Sequence, residues 1–398
     1  MTLNRSSQLM LASAVSLLAA GLLSACGTAT VDFVYVSSAK AAGANNYGEI
    51  DVFEINSGSG KMRTIPTSPF PSGGRNPVSE AVAPDNTNLY VANQDDNSIV
   101  QFIIGSDGKL YPLHTTNTPG IFPLVIASGG SFLFLADRYQ PLPSCSPASP
   151  CSGSLAVYPI NSDDSLGTPS ANSAVSGAYW PLSLPSNPTH LVTPTAIVAA
   201  NSGAYLYVTA VDSTSGGGYL FGYAVGSDGT LTPLAGSPYA AGTQQSGVAA
   251  NSDGSYIYVT DEASAGVLAY ATTNGVPTQI NGSPFAAGNS PSSVAVDKSG
   301  KYVYVTNATD STVQAYSASN GALTSLGTYP VGIQPVAIGI DPSLNQYLYV
   351  VSFLGNTISG FQIDASNGTL LTSQHSPFGT HTNPTAVAAI PHGATAKE

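Results

Sequence analysis

Acid–base, metal and thiol chemistry draws on a short list of side chains, and this chain is sparing with most of them. It has 5 His and 10 Lys plus Arg against 22 Asp plus Glu, in 398 residues. Asp261-Glu262 is an adjacent carboxylate pair, a pattern that can serve acid–base work or hold a cation, although such pairs more often sit in solvated loops. Asp95-Asp96-Asn97 offers oxygen ligands but lacks the spacing and glycine of a calcium loop, so no metal is expected. His114 and His375 fall in outer-strand regions and His392 in the tail, where structural or solvent-facing roles are expected. No G-x-S-x-G elbow, H-E-x-x-H, Walker loop or C-x-x-C is present, and no cofactor is expected. Cys145 and Cys151 stand in a Pro/Ser stretch with five residues between them. In an exported protein that spacing predicts a disulfide, since a metal needs more ligands.

Only 8% of the residues are charged, against an average of roughly 25%. The 42% hydrophobic content, with 21 Tyr and 12 Phe, is too apolar and aromatic for a disordered chain. Helical bundles, rich in Glu, Lys and Arg, are unlike this composition. A net charge of −12 with so few cations excludes a nucleic-acid partner, which needs clustered Lys and Arg. Arg5 followed by the apolar run Leu9 to Leu23 predicts a signal peptide over residues 1–25. It ends in Leu23-Ser24-Ala25-Cys26, which resembles the bacterial lipobox and predicts lipidation at Cys26. Residues 26–30 then form a tether, the lipid is the membrane attachment, and the body lies in the cell envelope. Gly27 favours the outer membrane over inner-membrane retention.

These residues are carried by a repeat. The block at 291–331 runs Val294-Ala295-Val296-Asp297, turns at Ser299-Gly300-Lys301, continues Tyr302-Val303-Tyr304-Val305-Thr306-Asn307, then Val313-Gln314-Ala315-Tyr316, and turns again at Asn320-Gly321. Alternating β-formers between Gly, Asn and Asp breaks predict four antiparallel strands with two-residue hairpins. The second-strand anchor recurs at Tyr35, Tyr90, Phe134, Tyr207, Tyr258, Tyr304 and Tyr349. The third-to-fourth turn recurs at Asp107-Gly108, Asp228-Gly229, Asn274-Gly275 and Asn367-Gly368. Such a period predicts an all-β, seven-bladed propeller of four-stranded antiparallel blades over residues 31–391, with a tail at 392–398. The first block lacks an inner strand and Pro384 to Ile390 is spare. That C-terminal strand is expected to complete blade one and close the ring, in preference to an open solenoid.

Tyr304-Val305-Thr306-Asn307, echoed at Tyr207-Val208-Thr209 and Tyr258-Val259-Thr260-Asp261, resembles the YVTN repeat. The mature chain resembles the seven-bladed lactonase-type propeller family, which includes phosphogluconolactonase and muconate-lactonising enzymes. The resemblance implies a few His, Arg and Glu side chains near the central channel, and Pro-His steps at the start of some inner strands. Here those steps read Pro77-Val78, Pro194-Thr195, Pro291-Ser292, Pro335-Val336 and Pro384-Thr385. Asp137-Arg138 follows the second strand of blade three, where the family often has an acidic residue.

Two long loops of blade three, Asp137 to Gly153 and about Ala171 to Thr193, rise from one face. They predict a binding lip of Arg138, Tyr139, Tyr179, Trp180 and His190. Other polar candidates on that face are Arg75, Glu80, Asp95, Asp96, Asp137, Asp212, Asp261, Glu262, Asp310 and His381. Two function classes are expected. One is a lipid-anchored, monomeric binding module for an envelope protein, a glycan or a small neutral ligand. The other is a lactone hydrolase, in which His190 or His381 would be the general base and Arg138 or Arg75 the oxyanion partner. A phosphorylated lactone would want several cations, and the chain has few.

Overall fold

The computed structural model describes residues 29–39, 46–342 and 345–392. The expected signal peptide over residues 1–25 and Cys26 lie outside the described residues. The strands form seven antiparallel sheets. Counting from the N-terminus, the second strands of blades 1 to 7 are Thr30–Ser38, Asn88–Asn93, Phe132–Tyr139, Tyr205–Asp212, Tyr256–Asp261, Tyr302–Asn307 and Tyr347–Ser352. The inner strands of blades 2 to 7 are Pro77–Val82, Ile121–Gly129, Val192–Ala200, Gln245–Ala250, Pro291–Val296 and Pro335–Ile340. The C-terminal strand Pro384–Pro391 pairs with Thr30–Ser38 as the inner strand of blade 1. Each inner strand packs on the next around a closed ring. Closure leaves no open edge where the chain ends meet.

Runs such as Tyr-Val-Tyr-Val-Thr become second strands because each blade is covered on both faces by its neighbours. In blades 2, 6 and 7 every residue of the second strand is buried. A strand buried on both faces favours β-branched and aromatic residues at successive positions. In blades 1, 4, 5 and 7 the outer strand comes in two short pieces, for example Met62–Thr64 and Phe70–Pro71. Between the pieces a serine hydroxyl takes over as backbone acceptor. Ser68, Ser237, Ser283 and Ser376 Oγ accept the N–H of Val52, Gly222, Ala269 and Gly360 at 2.9–3.0 Å.

The recurring tyrosine clamps the following blade. Tyr35, Tyr207 and Tyr304 donate their hydroxyls to the carbonyls of Gly108, Gly275 and Gly368, the turn glycines of the next blade. The aromatic two residues earlier (Phe33, Tyr205, Tyr302) covers the same glycine, where any Cβ would collide with the ring. Tyr90 reaches the Asp164 carbonyl at 2.6 Å. Blade 3 has Phe134 at the anchor, and Ser170 Oγ bonds the Asp228 carbonyl of blade 4 at 2.8 Å instead. At the seam, Tyr349 donates to Asp32 Oδ2 at 3.0 Å and Tyr347 to the Ser57 carbonyl at 2.9 Å. Left-handed φ at both central residues, which a two-residue hairpin of this kind requires, occurs at Asn274-Gly275 and Asn320-Gly321. At Asp107-Gly108, Asp228-Gly229 and Asn367-Gly368 only the glycine is left-handed. There the Asp107, Asp228 and Asn367 side chains accept the N–H two residues on, which builds a longer turn than expected.

One position breaks the apolar repeat. Glu80 pairs across to Val91. The matching positions in the other blades are Ile126, Ile197, Val248, Val294, Ile338 and Val387. Glu80 Oε2 accepts from Ser37 Oγ of blade 1 at 2.5 Å, and Oε1 is buried with no side-chain partner among the described residues. Burial pushes its pKa up to about 8, against the Ser37 hydroxyl and the Ala388 backbone that favour the charged form. A carboxyl raised in the folded state holds its proton where the unfolded chain has lost it. Its contribution is therefore fully present below the ordinary value near 4.5 and is lost as pH rises to about 8.

Glu80→Val should therefore raise the unfolding temperature by several degrees at pH 8 and by clearly less at pH 4. An equal gain at both pH values would contradict this. Tyr304→Phe should cost about 1 kcal/mol in denaturant unfolding, the usual net worth of a buried hydrogen bond. Tyr258→Phe should be near neutral, because the Tyr258 hydroxyl has no partner among the described residues.

Candidate functional site

Every inner strand opens with a β-bulge. Near the mouth one residue pairs with the second strand, the next is skipped, and pairing resumes one residue later; in blades 3 and 4 one or two further pairs precede the bulge. The skipped residues are Val78, Leu124, Thr195, Ser246, Ser292, Val336 and Thr385. A bulge re-aims one side chain out of the ladder, and seven in a ring encircle one end of the channel. Three hydroxyls of this set bond the next blade. Ser246, Ser292 and Thr385 Oγ donate to the carbonyls of Pro291, Pro335 and Pro77 at 2.5, 2.7 and 2.8 Å. Thr195 Oγ1 donates to Thr209 Oγ1 at 2.9 Å.

Leu124, Thr195, Ser246, Ser292 and Val336 line a cavity of about 820 Å³ at this mouth. Around them stand Thr193, Thr243, Gln244, Gln245, Arg138 and Glu262. The cavity wall is thus mostly hydroxyl, amide and aliphatic. Arg138 and Glu262 are its only charged residues, one from blade 3 and one from blade 5. Arg138 has no ion-pair partner among the described residues, and its guanidinium lies 5.7 Å from the Tyr139 ring centre. Glu262 Oε2 accepts from Gln244 Nε2 at 2.9 Å. Partial burial, and next the neighbouring Asp261 charge, raise the Glu262 pKa above its ordinary value.

The sequence candidates separate into those at the mouth and those that build its support. Asp261 is buried, and its carboxylate accepts the Gln244 N–H at 2.8 Å. It shapes the loop beside the cavity and does not face it. Asp137 does the same for Gly120 at 3.1 Å. His190 and His381 are outside the cavity lining. His190 Nδ1 is 2.6 Å from Asp212 Oδ2, and His381 Nδ1 is 2.7 Å from Asp51 Oδ1. Burial tends to raise Asp212, but hydrogen bonds from Ser215, His190 and the backbone hold its pKa at about 2. These two dyads belong to blades 4 and 1, so the structure does not bring the histidines together. Arg75 is bound to Asp96 at 2.6 Å and to the Asp95 carbonyl at 3.2 Å.

The expected aromatic lip is not assembled. Trp180–Pro181 is the outer strand of blade 3, and Trp180 pairs with Leu155 on the rim of the disc. Its ring belongs to the core between blades 3 and 4, with Phe134, Leu182 and Phe221. Tyr179 and Tyr139 are also buried, and only Arg138 of the five reaches the mouth. The long exit segment conceals a two-residue strand, too short to carry an alternating pattern. Cys145 and Cys151 form a disulfide in the other loop, with Cα atoms 5.5 Å apart. Gln245 and Leu124, which sequence reading missed, were detectable by aligning the two residues at the bulge of all seven inner strands, Pro123-Leu124 and Gln245-Ser246 among them. No group of three His, Cys, Asp or Glu able to hold a metal occurs among the described residues.

The family model described as "Lactonase, 7-bladed beta-propeller" matches residues 45–142 and 148–388. No curated protein matches the chain. Among solved structures, a candidate 6-phosphogluconolactonase from Bacteroides fragilis superposes with a TM-score of 0.71 at 20% identity, covering 91% of this chain and 98% of that one. A second, from Bacteroides uniformis, gives 0.70 at 18% identity, with 91% and 100% covered. The periplasmic gluconolactonase of Pseudomonas aeruginosa gives 0.66 at 19% identity, with 90% and 99% covered. At these identities the structures share the fold. With the seven-bladed ring, its bulged mouth and a family match over most of its length, the chain belongs to the seven-bladed β-propeller lactonase family.

Proposed function

We propose that the channel mouth binds a neutral polyhydroxylated ring and hydrolyses its lactone. The observation that carries this reading is the presence of one cation and one carboxylate, from different blades, in a cavity otherwise walled by hydroxyl, amide and aliphatic groups. Family membership and the gluconolactonase likeness support it. In the reaction Glu262 takes a proton from water as the water oxygen attacks the lactone carbonyl. Arg138 stabilises the oxyanion. Collapse breaks the ring ester bond, and the proton passes from Glu262 to the departing ring oxygen, leaving a hydroxy acid. The raised pKa of Glu262 suits it to this exchange. One cation balanced by one anion gives no basis for preferring a phosphorylated substrate, which would be held by several cations.

The strand Thr30–Ser38 starts at the face opposite the mouth, where the Ser57 N–H donates to the Ala29 carbonyl. In the lipid-anchored reading through Cys26, the mouth would open away from the bilayer.

Turnover of glucono-1,5-lactone above its spontaneous rate, measured in a pH-stat, tests the proposal. Glu262→Gln should lower kcat by about 100-fold or more, the low end of general-base effects. Arg138→Ala should cost a similar factor. Because the base must be deprotonated and its pKa is raised, activity should fall on acidification at a pH above 4.5, the ordinary value for Glu. The 6-phosphate of the lactone should not be preferred. Tight binding of a neutral sugar ring without any turnover would instead favour the binding-module reading.

A further inference from the structure

We infer that Gln245 is the ligand-recognition residue of this mouth, and that its carboxamide reads a pair of neighbouring hydroxyls on a neutral sugar ring. The inference rests on the reading of the mouth as a site for such rings and adds the residue that selects them.

Six of the seven inner strands have proline at the residue before the bulge: Pro77, Pro123, Pro194, Pro291, Pro335 and Pro384. In blade 5 that residue is Gln245, paired with Asp261. Proline there fixes φ and carries no N–H, so the exception exchanges a rigid apolar ring for a polar side chain in a residue that lines the cavity. Gln245 is 2% exposed, yet neither Oε1 nor Nε2 has a hydrogen-bond partner among the described residues. Buried amides are nearly always paired, and an unspent donor and acceptor in one group at a cavity wall is an arrangement that a ligand can complete.

The surroundings make room for it. A Cβ on Gly218 of blade 4 would overlap the Gln245 carboxamide, so the slot exists only because that residue is glycine. Gly218 N–H in turn donates to the Gly242 carbonyl at 3.0 Å, which fixes the slot wall. Both neighbours of Gln245 are tied down. Gln244 is held by Asp261 and Glu262, and Ser246 by Pro291. The backbone at 244–246 is thereby anchored while the amide alone is uncommitted. Recognition requires the amide, which is occluded in the slot, to turn about the side-chain bonds of Gln245 into the cavity the residue lines. There its N–H and C=O match two adjacent hydroxyls, each of which can donate and accept. A phosphate, an acceptor only, would use half of this group.

The test compares wild type with Gln245→Leu and Gln245→Glu. Binding of glucono-δ-lactam, a stable neutral ring probe, is measured by calorimetry, and unfolding is measured beside it. A recognition role predicts that Gln245→Leu loses at least 10-fold in affinity while its unfolding midpoint is unchanged or raised, because an unpaired buried amide has been removed. Gln245→Glu, which keeps shape and acceptors but loses the donor, should also bind more weakly. If Gln245→Leu lowers the midpoint and leaves affinity intact, Gln245 is a structural residue and the inference is overturned. If wild type neither binds the lactam nor turns over glucono-1,5-lactone, the reading of the mouth itself fails, and this inference with it.

Discussion

The ring stands on a clamp between successive blades. A second-strand tyrosine hydroxyl is donated to the next blade's turn, beneath an aromatic ring that covers the turn glycine. Each such bond is worth only about 1 kcal/mol net. Its importance is geometric, because it fixes the angle and height at which one blade meets the next. If those angles did not sum to closure, the strand Pro384–Pro391 would not reach Thr30–Ser38. The clamps act on the face away from the mouth. On the mouth face the corresponding joints are the bulges, where Ser246, Ser292 and Thr385 bond the next blade's backbone. The same bulges expose the side chains that line the cavity, so closure and site construction are one event.

The repeat also defines where function can be sought. A propeller made of equal blades has no preferred direction across its channel. Chemistry requires departures from equality, and these are few: Arg138 on blade 3, Glu262 and Gln245 on blade 5, Glu80 between blades 1 and 2. Arg138, Glu262 and Gln245 line one cavity. Glu80 does not line that cavity, and its cost appears in stability, where burial raises its pKa to about 8. Polar replacements at buried repeat positions are unfavourable unless something uses them.

Much of this architecture was legible in the sequence. The tyrosine anchors, the turn glycines and the spare C-terminal strand each follow from local rules, and the family resemblance carried by Tyr304 to Asn307 pointed to the same fold. The site was less legible, for definite reasons. Trp180 was conspicuous as the single tryptophan, but its two-residue strand has no period to read, and it serves the rim core. His190 and His381 looked like bases, whereas short bonds to Asp212 and Asp51 tie them into loop supports. Glu262 was visible as half of a carboxylate pair. Only the folded structure shows that its neighbour Asp261 is buried and that Glu262 lines the cavity. Of the two-residue hairpins expected at every turn, those at Asn274-Gly275 and Asn320-Gly321 formed, whereas the Asp107, Asp228 and Asn367 side chains accept a backbone N–H and build a longer turn.

In the proposed function a neutral ring is held at the bulged mouth between blades 3 and 5. A crystal structure of the chain with glucono-δ-lactam tests it most directly. The account predicts the lactam in the cavity bordered by Arg138, Gln245 and Glu262, with its carbonyl toward Arg138. A lactam bound at the rim beside Trp180, or in the His381 loop with the mouth empty, would contradict it.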